Sequence, residues 1–184
     1  MPTPHHIAVY CASAPGHNPA YQQAATQLGA ALATGGFGLV YGGASVGLMG
    51  LVADSALAHG AQVIGVLPEL LASKEIAHPN LTRLIPTTSM HHRKATMIEL
   101  SHAVITLPGG YGTLDELMEA LTWAQLGIHS MPVILLNTLG YYDHLLAFLD
   151  HAVSSGFLKS TNRSLLHVAS TPAQAVQLLQ ELLP

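Results

Sequence analysis

Short segments made almost entirely of apolar residues alternate with longer segments of helical periodicity along the whole chain. Short apolar runs bounded by Gly, Pro or polar residues predict buried strands, and the longer amphipathic segments predict helices. The predicted strands are residues 7–11, 38–41, 62–66, 103–107 and 132–136, with weaker ones near 84–86 and 165–168. The predicted helices are residues 19–34, 48–59, 89–101, 113–126, 141–155 and 172–183.

This alternation restricts the fold to one class. Strands that are apolar throughout, rather than alternating with polar residues, belong to a sheet that is covered on both faces. Strands that alternate with helices favour parallel pairing through helical crossovers. We therefore predict an α/β fold, a Rossmann-like doubly wound parallel sheet flanked by helices on both faces, formed by residues 1–184 as a single domain. In such sheets ligands bind at the carboxyl ends of the strands.

Composition excludes several classes of protein. The chain has 184 residues, of which 49% are hydrophobic and only 9% are charged, so a disordered chain is excluded. Every apolar stretch is interrupted well before the roughly 18 residues that a membrane-spanning helix needs, and no membrane partner is expected. The formal net charge of -4 and the absence of a Lys/Arg cluster argue against a nucleic-acid partner.

The cysteine content and the N-terminal residues predict a cytoplasmic protein. Cys11 is the only cysteine and has no partner for an internal disulfide, so nothing requires an oxidising compartment. Its position in an apolar strand favours a core residue over a nucleophile. The N-terminal segment MPTPHH lacks the basic and apolar regions of a secretory signal.

A first glycine-rich turn follows the second predicted strand and reads YGGASVGLMG over residues 41–50. Its glycines, Gly43 among them, allow tight turns and close backbone approach to a ligand. The pattern is neither the GxGxxG of dinucleotide-binding folds nor a Walker A loop. On the residues alone, a structural turn and a ligand-binding turn explain it equally well.

A second glycine-rich turn, ITLPGGYGTLDE over residues 105–116, ends a predicted strand and precedes a predicted helix. Gly109, Gly110 and Gly112 leave the backbone N–H groups uncovered before the helix, which we expect to begin at Thr113. Exposed N–H groups and the helix dipole act together on an anion at a helix start. This turn is therefore a candidate site for a phosphate group.

Glu116 permits two interpretations. The segment from Thr113 to Glu116 fits the S/T-x-x-E capping box, in which the glutamate only helps to start the helix. Alternatively, an anion occupies the helix start and the Glu116 carboxylate takes part in catalysis on another portion of the same ligand. Asp115 and Glu119 likewise suit the positive end of the helix. The residues alone leave both interpretations open.

Arg93 and Lys94 are two of only six basic residues, and they lie side by side early in a helix that Ser89 can cap. A cation in a first turn opposes the helix dipole at a cost of roughly 0.3–1 kcal/mol, so another interaction should justify the pair. A solvated charged face is the simpler explanation. In a chain with so few charges, an anionic ligand is an equally good one.

The residues predict neither a metal ion nor a cofactor. His5-His6 and His91-His92 are adjacent pairs that do not share a helix face, and an H-E-x-x-H motif or a cysteine cluster is absent from the sequence. No lysine lies in the apolar pattern that would lower its pKa for Schiff-base chemistry.

Several motifs together resemble the Lonely Guy family of cytokinin riboside 5'-monophosphate phosphoribohydrolases, formerly mislabelled lysine decarboxylases. The motifs are MHHRK at residues 90–94, PGGYGTLDE at 108–116 and TWAQLGIH at 122–129. The similarity extends from the CASAPG turn to the segment NTLGYYDHLLAFLDHAVSSGF. The resemblance implies hydrolysis of the N-glycosidic bond of a nucleoside 5'-monophosphate, giving free base and ribose 5-phosphate, by a homodimeric Rossmann-fold enzyme without a redox cofactor.

The resemblance also implies roles for individual residues. Arg93 and Glu116 become the catalytic pair. The residues that it implies for substrate binding are Glu75, Lys94, Gly109, Gly110, Tyr111, Gly112, Thr113 and Thr122, with Ser13 and Gly43 in the two earlier turns. Ala14 and Ala44 depart from the family pattern in these turns, which bears on substrate preference more than on reaction type.

Two alternatives stay open. One is a nucleotide-binding or carrier protein of the same fold, which would need the glycine-rich helix start but not the pair of Arg93 and Glu116. The other is a hydrolase that acts on AMP or another ordinary nucleotide, because the sequence places no pocket for a prenyl group. The surplus of apolar residues also favours a homodimer, with the helices at residues 89–101 and 113–126 as the predicted interface.

Overall fold

The computed structural model describes residues 5–71 and 77–183. Its strands are β1 (His6–Tyr10), β2 (Gly38–Tyr41), β3 (Val63–Pro68), β4 (Arg83–Thr87), β5 (Ala103–Thr106), β6 (Val133–Leu136) and β7 (Leu166–Ala169). Its helices are α1 (Pro19–Thr34), α2 (Gly47–Ala58), α3 (Met90–Glu99), α4 (Tyr111–Gln125), α5 (Asp143–Ser154), α6 (Ser160–Arg163) and α7 (Pro172–Leu182). Short 3₁₀ turns span Glu69–Leu71 and Thr138–Gly140.

All seven strands form one parallel sheet in the order β4-β3-β2-β1-β5-β6-β7. β1 lies at the centre, where Ile7 is opposite Leu39 of β2 on one side and Ala103 of β5 on the other. The chain extends the sheet outward from β1 to β4, then returns to the other side of β1 and extends it again. The order therefore reverses between β1 and β5, which is the position where open α/β sheets bind ligands.

Helices cover both faces of the sheet. Successive side chains of a strand point to opposite faces, and in β1 Ile7 and Val9 belong to one buried cluster while Ala8 and Tyr10 belong to the other. The first cluster includes apolar residues of α1, α2 and α7, and the second includes those of α3 and α4. The predicted doubly wound fold is confirmed, and the apolar strands are explained by burial on both sides.

The predicted helix starts are partly wrong. The predicted N-cap of α7 is confirmed, because the Thr171 side chain accepts a hydrogen bond from the Gln174 amide. Helix α4, however, begins at Tyr111 rather than Thr113, with Gly110 as an N-cap that has no side chain to signal it. Helix α5 begins at Asp143, two residues later than predicted, because the 3₁₀ turn precedes it. The single turn of α6 was not predicted.

Within the described ranges, no helix is both long and apolar enough to span a bilayer.

Candidate active site

A pocket of about 330 Å³ opens at the carboxyl end of β1, beside the turn after β2 and the start of α4. Its lining combines two charged side chains with glycines and small or apolar residues. These residues are Val9, Cys11, Ala12, Ser13, Ala14, Gly42, Met49, Arg93, Met97, Gly110, Tyr111, Gly112, Thr113 and Glu116. The pocket thus lies where the strand order reverses, and it contains both residues predicted to form the catalytic pair.

The N-terminus of α4 forms one wall of this pocket. Gly110 makes no side-chain cap, and the first turn contains no acidic residue. The first N–H groups of a helix have no partner within the helix, and they lie at the positive end of its dipole. Gly110, Tyr111, Gly112 and Thr113 all line the pocket. This wall can bind an anion through main-chain atoms.

The position of Glu116 excludes the capping-box interpretation. Because α4 begins at Tyr111, Thr113 lies inside the helix and Glu116 lies more than one turn from its start. The Glu116 side chain is only 11% exposed and faces the guanidinium of Arg93, with 3.8 Å between Oε1 and Nη1. A helix-capping role therefore does not explain why this carboxylate lies nearly buried in a pocket.

Arg93 is held by a carbonyl group of β3 and a carbonyl group of the turn after β2. Its Nε donates to the Val66 carbonyl at 3.1 Å, and Nη2 donates to the Gly42 carbonyl at 3.3 Å. The residue is buried, so these carbonyls and Glu116, rather than water, compensate the charge of its guanidinium. Arg93 therefore has a defined position before any ligand binds.

Gly42 lines the pocket, and the sequence did not indicate its role there. A Cβ at this position would overlap with the Arg93 guanidinium and would lie 2.9 Å from the sulfur of Met49. The YGG pattern marked a glycine-rich turn, but the reason for this glycine is a side chain 51 positions away. Only the folded structure reveals that contact.

The pocket offers no reactive thiolate. Burial, followed by the negative charge of Glu116, raises the pKa of the Cys11 thiol far above its ordinary value. The same two causes raise the pKa of the Tyr10 hydroxyl. Neither the Cys11 thiol nor the neighbouring Tyr10 hydroxyl, which does not line the pocket, ionises at neutral pH. Glu116 and Arg93 are the acidic and the basic residue that line the pocket.

Lys94 is adjacent to Arg93 in sequence but does not line the pocket. Its Nζ donates to Asp115 at 2.9 Å and to Glu119 at 2.7 Å, which ties α3 to α4. Burial lowers the pKa of Lys94, but the hydrogen bonds and charges of the two carboxylates outweigh burial and raise the pKa above its ordinary value. Lys94 therefore supports the helix that carries Glu116.

The other residues predicted to bind substrate have different positions. Ser13 lines the pocket. Gly43, with φ at 81°, offers its carbonyl to the His78 amide instead, and the Gly109 carbonyl accepts from Tyr141. The Thr122 hydroxyl donates to a carbonyl within α4 and lines a smaller pocket of about 120 Å³. Substrate contacts of these residues stay predictions.

Glu75 lies outside the described residues. Across residues 5–71 and 77–183, no three His, Cys, Asp or Glu side chains are arranged to hold a metal ion.

We predict that Lys94→Met lowers the free energy of unfolding by about 2 kcal/mol, because it removes charged hydrogen bonds from a buried site. Since the folded pKa of Lys94 is raised, its contribution is complete below pH 10.5 and is lost only as the pH rises through that folded pKa. Urea unfolding between pH 7 and 11 measures both effects, with the exposed Lys159→Met as the control. Equal stability of the two variants would contradict the structural role of Lys94.

The chain is similar to known proteins over nearly its whole length. A protein-family model described as "Possible lysine decarboxylase" matches residues 49–179. The chain is 47% identical to cytokinin riboside 5'-monophosphate phosphoribohydrolase LOG2 of Arabidopsis thaliana, over 97% of this chain and 84% of that protein. It is 48% identical to the enzyme LOG of Oryza sativa subsp. japonica, over 97% of this chain and 74% of that protein.

Solved structures of similar fold carry a different description. The molybdenum cofactor binding protein of Rippkaea orientalis is 26% identical, with a TM-score of 0.73 and 100% coverage of both chains. The Moco carrier protein of Chlamydomonas reinhardtii is 25% identical, with a TM-score of 0.74 and 98% coverage of both chains. The much higher identity to the phosphoribohydrolases, over nearly the whole length, decides the assignment: the chain belongs to the Lonely Guy (LOG) family of phosphoribohydrolases.

Proposed function

We propose that this protein hydrolyses the N-glycosidic bond of cytokinin riboside 5'-monophosphates. One observation supports this most directly: a single pocket contains the buried Arg93 and the nearly buried Glu116 beside an uncapped helix start. The names of the similar LOG enzymes describe the same reaction. In the reaction, a water oxygen bonds to the anomeric carbon, the bond to nitrogen breaks, and the base leaves with its electron pair and accepts a proton.

The start of α4 is the proposed binding site for the 5'-phosphate. Its N–H groups and the positive end of the dipole favour an anion, and no carboxylate lies in the first turn to compete with it. The phosphate is remote from the bond that breaks. Its binding energy would therefore position the ribose against the side chains farther inside the pocket.

Glu116 is the proposed catalytic carboxylate. Cleavage of an N-glycosidic bond develops positive charge on the ribose, and a nearby carboxylate stabilises that charge and can orient the attacking water. Because guanidinium groups stay protonated at physiological pH, Arg93 cannot serve as an ordinary acid. With its hydrogen bonds to Val66 and Gly42, it would instead orient Glu116 and anchor the substrate.

We predict that Glu116→Gln reduces base release by about 100- to 10,000-fold, the usual contribution of a general acid or base. The variant keeps the shape of the side chain and leaves the start of α4 intact, so nucleotide affinity should stay within a few-fold. Glu119→Gln is the matched control, because Glu119 lies on the same helix but contacts Lys94 outside the pocket. Near-normal turnover by Glu116→Gln would refute the assignment.

The carrier interpretation stays a second candidate because of the molybdenum cofactor proteins with the same fold. We predict that the purified protein releases free base from AMP and, faster, from its N6-isopentenyl derivative, both measured by chromatography. Faster release from the derivative supports a cytokinin substrate, and equal rates support ordinary nucleotides. If neither nucleotide yields base although both bind, the protein is a carrier.

A homodimer is the proposed assembly. Helix α5 has no buried residue, and the side chains of Phe148 and Phe157 are 63% and 91% exposed. Leu126 and Ile128, after α4, are also exposed. Leu126 and Ile128 directly follow α4, one of the two helices predicted to form the interface, and the proposed interface also includes the exposed apolar side chains of α5. A second copy would cover this surface.

We predict a dimer in sedimentation velocity at micromolar concentration. Phe148→Glu should shift the equilibrium toward the monomer, because it places a charge in the proposed interface. Its exposed position leaves the fold intact. A wild-type protein that sediments as a monomer at every concentration would contradict the proposal.

We further propose that the protein acts in the cytoplasm and that its ligands are nucleotides rather than nucleic acids. The single cysteine, which requires no oxidising compartment, supports the location, and the formal net charge of -4 supports the exclusion of nucleic acids.

A further inference from the structure

The turn between β5 and α4 has three consecutive carbonyl groups that each accept a hydrogen bond from another segment. The Leu107 carbonyl accepts from the Tyr142 hydroxyl at 2.7 Å, and the Gly109 carbonyl accepts from the Tyr141 hydroxyl at 2.7 Å. Between them, the Pro108 carbonyl accepts from the Ala12 amide at 3.3 Å. Two adjacent tyrosines thus contact the main chain on either side of Pro108.

The two hydroxyls act on different kinds of peptide bond. A trans peptide is planar, and its C=O and N–H point in opposite directions. A fixed Gly109 carbonyl therefore fixes the direction of the Gly110 N–H, and Gly110 lines the pocket whereas Gly109 does not. The Leu107 carbonyl belongs to a bond with proline, which has no N–H. The Tyr142 hydroxyl also has a hydrogen bond with the Gly109 backbone, but Gly109 does not line the pocket. Of the two hydroxyls, that of Tyr141 is therefore the one bonded to the peptide that carries the N–H of Gly110.

The glycines of this turn leave the orientation of the peptide without a local restraint. Gly109 and Gly110 have no side chains to restrict the rotation of the peptide between them. A Cβ on Gly109 would overlap with Thr113, so a bulkier residue cannot replace this glycine to stiffen the turn. The hydrogen bond from the Tyr141 hydroxyl restrains this peptide instead.

A strained turn presents the two tyrosines. Leu139 has φ at 55° and ψ at 27°, and it is the only non-glycine residue with positive φ among those described. Asn137 closes the turn, because its side chain accepts from the Tyr142 amide and donates to Asp143, both at 2.7 Å. Non-glycine residues in this conformation persist where the surrounding structure over-determines them, often at functional sites.

We propose that Tyr141 is a positioning residue for the phosphate of the substrate. Its hydroxyl holds the peptide between Gly109 and Gly110 so that the Gly110 N–H stays directed into the pocket with the first amides of α4. Loss of the hydroxyl frees this peptide to rotate, and its carbonyl would then oppose the phosphate. The inference rests on the proposed function, because it assumes a phosphate at the start of α4.

Tyr141→Phe and Tyr142→Phe test the inference as a matched pair. Each variant removes one hydroxyl from one carbonyl of the same turn. The measurements are kcat and KM for the nucleotide, competitive inhibition by inorganic phosphate and by ribose 5-phosphate, and the melting temperature. We expect Tyr141→Phe to raise KM and both inhibition constants about five- to tenfold, the effect of one oriented hydrogen bond, with kcat within about twofold. We expect Tyr142→Phe to lower the melting temperature and to leave these constants within about twofold.

Three outcomes would overturn the inference. Unchanged constants in Tyr141→Phe would show that the hydroxyl does not affect the anion site. Equal weakening in both variants would show that the two tyrosines only stabilise the turn. These two results leave the proposed function intact. A wild-type protein that neither phosphate nor ribose 5-phosphate inhibits would overturn the proposed phosphate site as well.

Discussion

Because the chain leaves β1 toward one edge of the sheet and leaves β5 toward the other, the turns after these two strands separate and leave a crevice between them. Ala12, Ser13 and Ala14 border one side of this crevice, and the start of α4 borders the other. The cavity therefore arises from the path of the main chain and does not require a particular side chain. The position of the pocket follows from the strand order.

Within that crevice, the few basic residues have separate tasks. Arg93 and Lys94 are consecutive on α3, yet Arg93 contacts carbonyls of β3 and of the turn after β2, while Lys94 contacts two carboxylates of α4. The first arrangement fixes a cation inside the pocket. The second neutralises the carboxylates that flank Glu116 on its own helix. The free-energy cost of placing Arg93 and Lys94 near the positive end of α3 is offset by these tertiary partners rather than by exposure to solvent.

The sequence was sufficient to predict the strands and the fold class, because continuous apolar runs are a direct consequence of burial on both faces. It was insufficient for the start of α4, because a glycine N-cap has no side chain to distinguish it from the glycines beside it. The capping-box interpretation of Glu116 failed for the same reason. The partners of Lys94 lie on another helix, and the reason for Gly42 lies on α3, so no local pattern contains either.

The anion-binding wall consists of main-chain amides, whereas the proposed chemistry depends on two side chains. Among point substitutions only a change to proline removes a main-chain N–H, so affinity for a phosphorylated ligand would persist through most sequence divergence on this fold. Loss of a guanidinium or a carboxylate, by contrast, needs a single codon change. A hydrolase and a binding protein of this architecture would therefore be separated by very few mutational steps, with the shared ligand class preserved throughout.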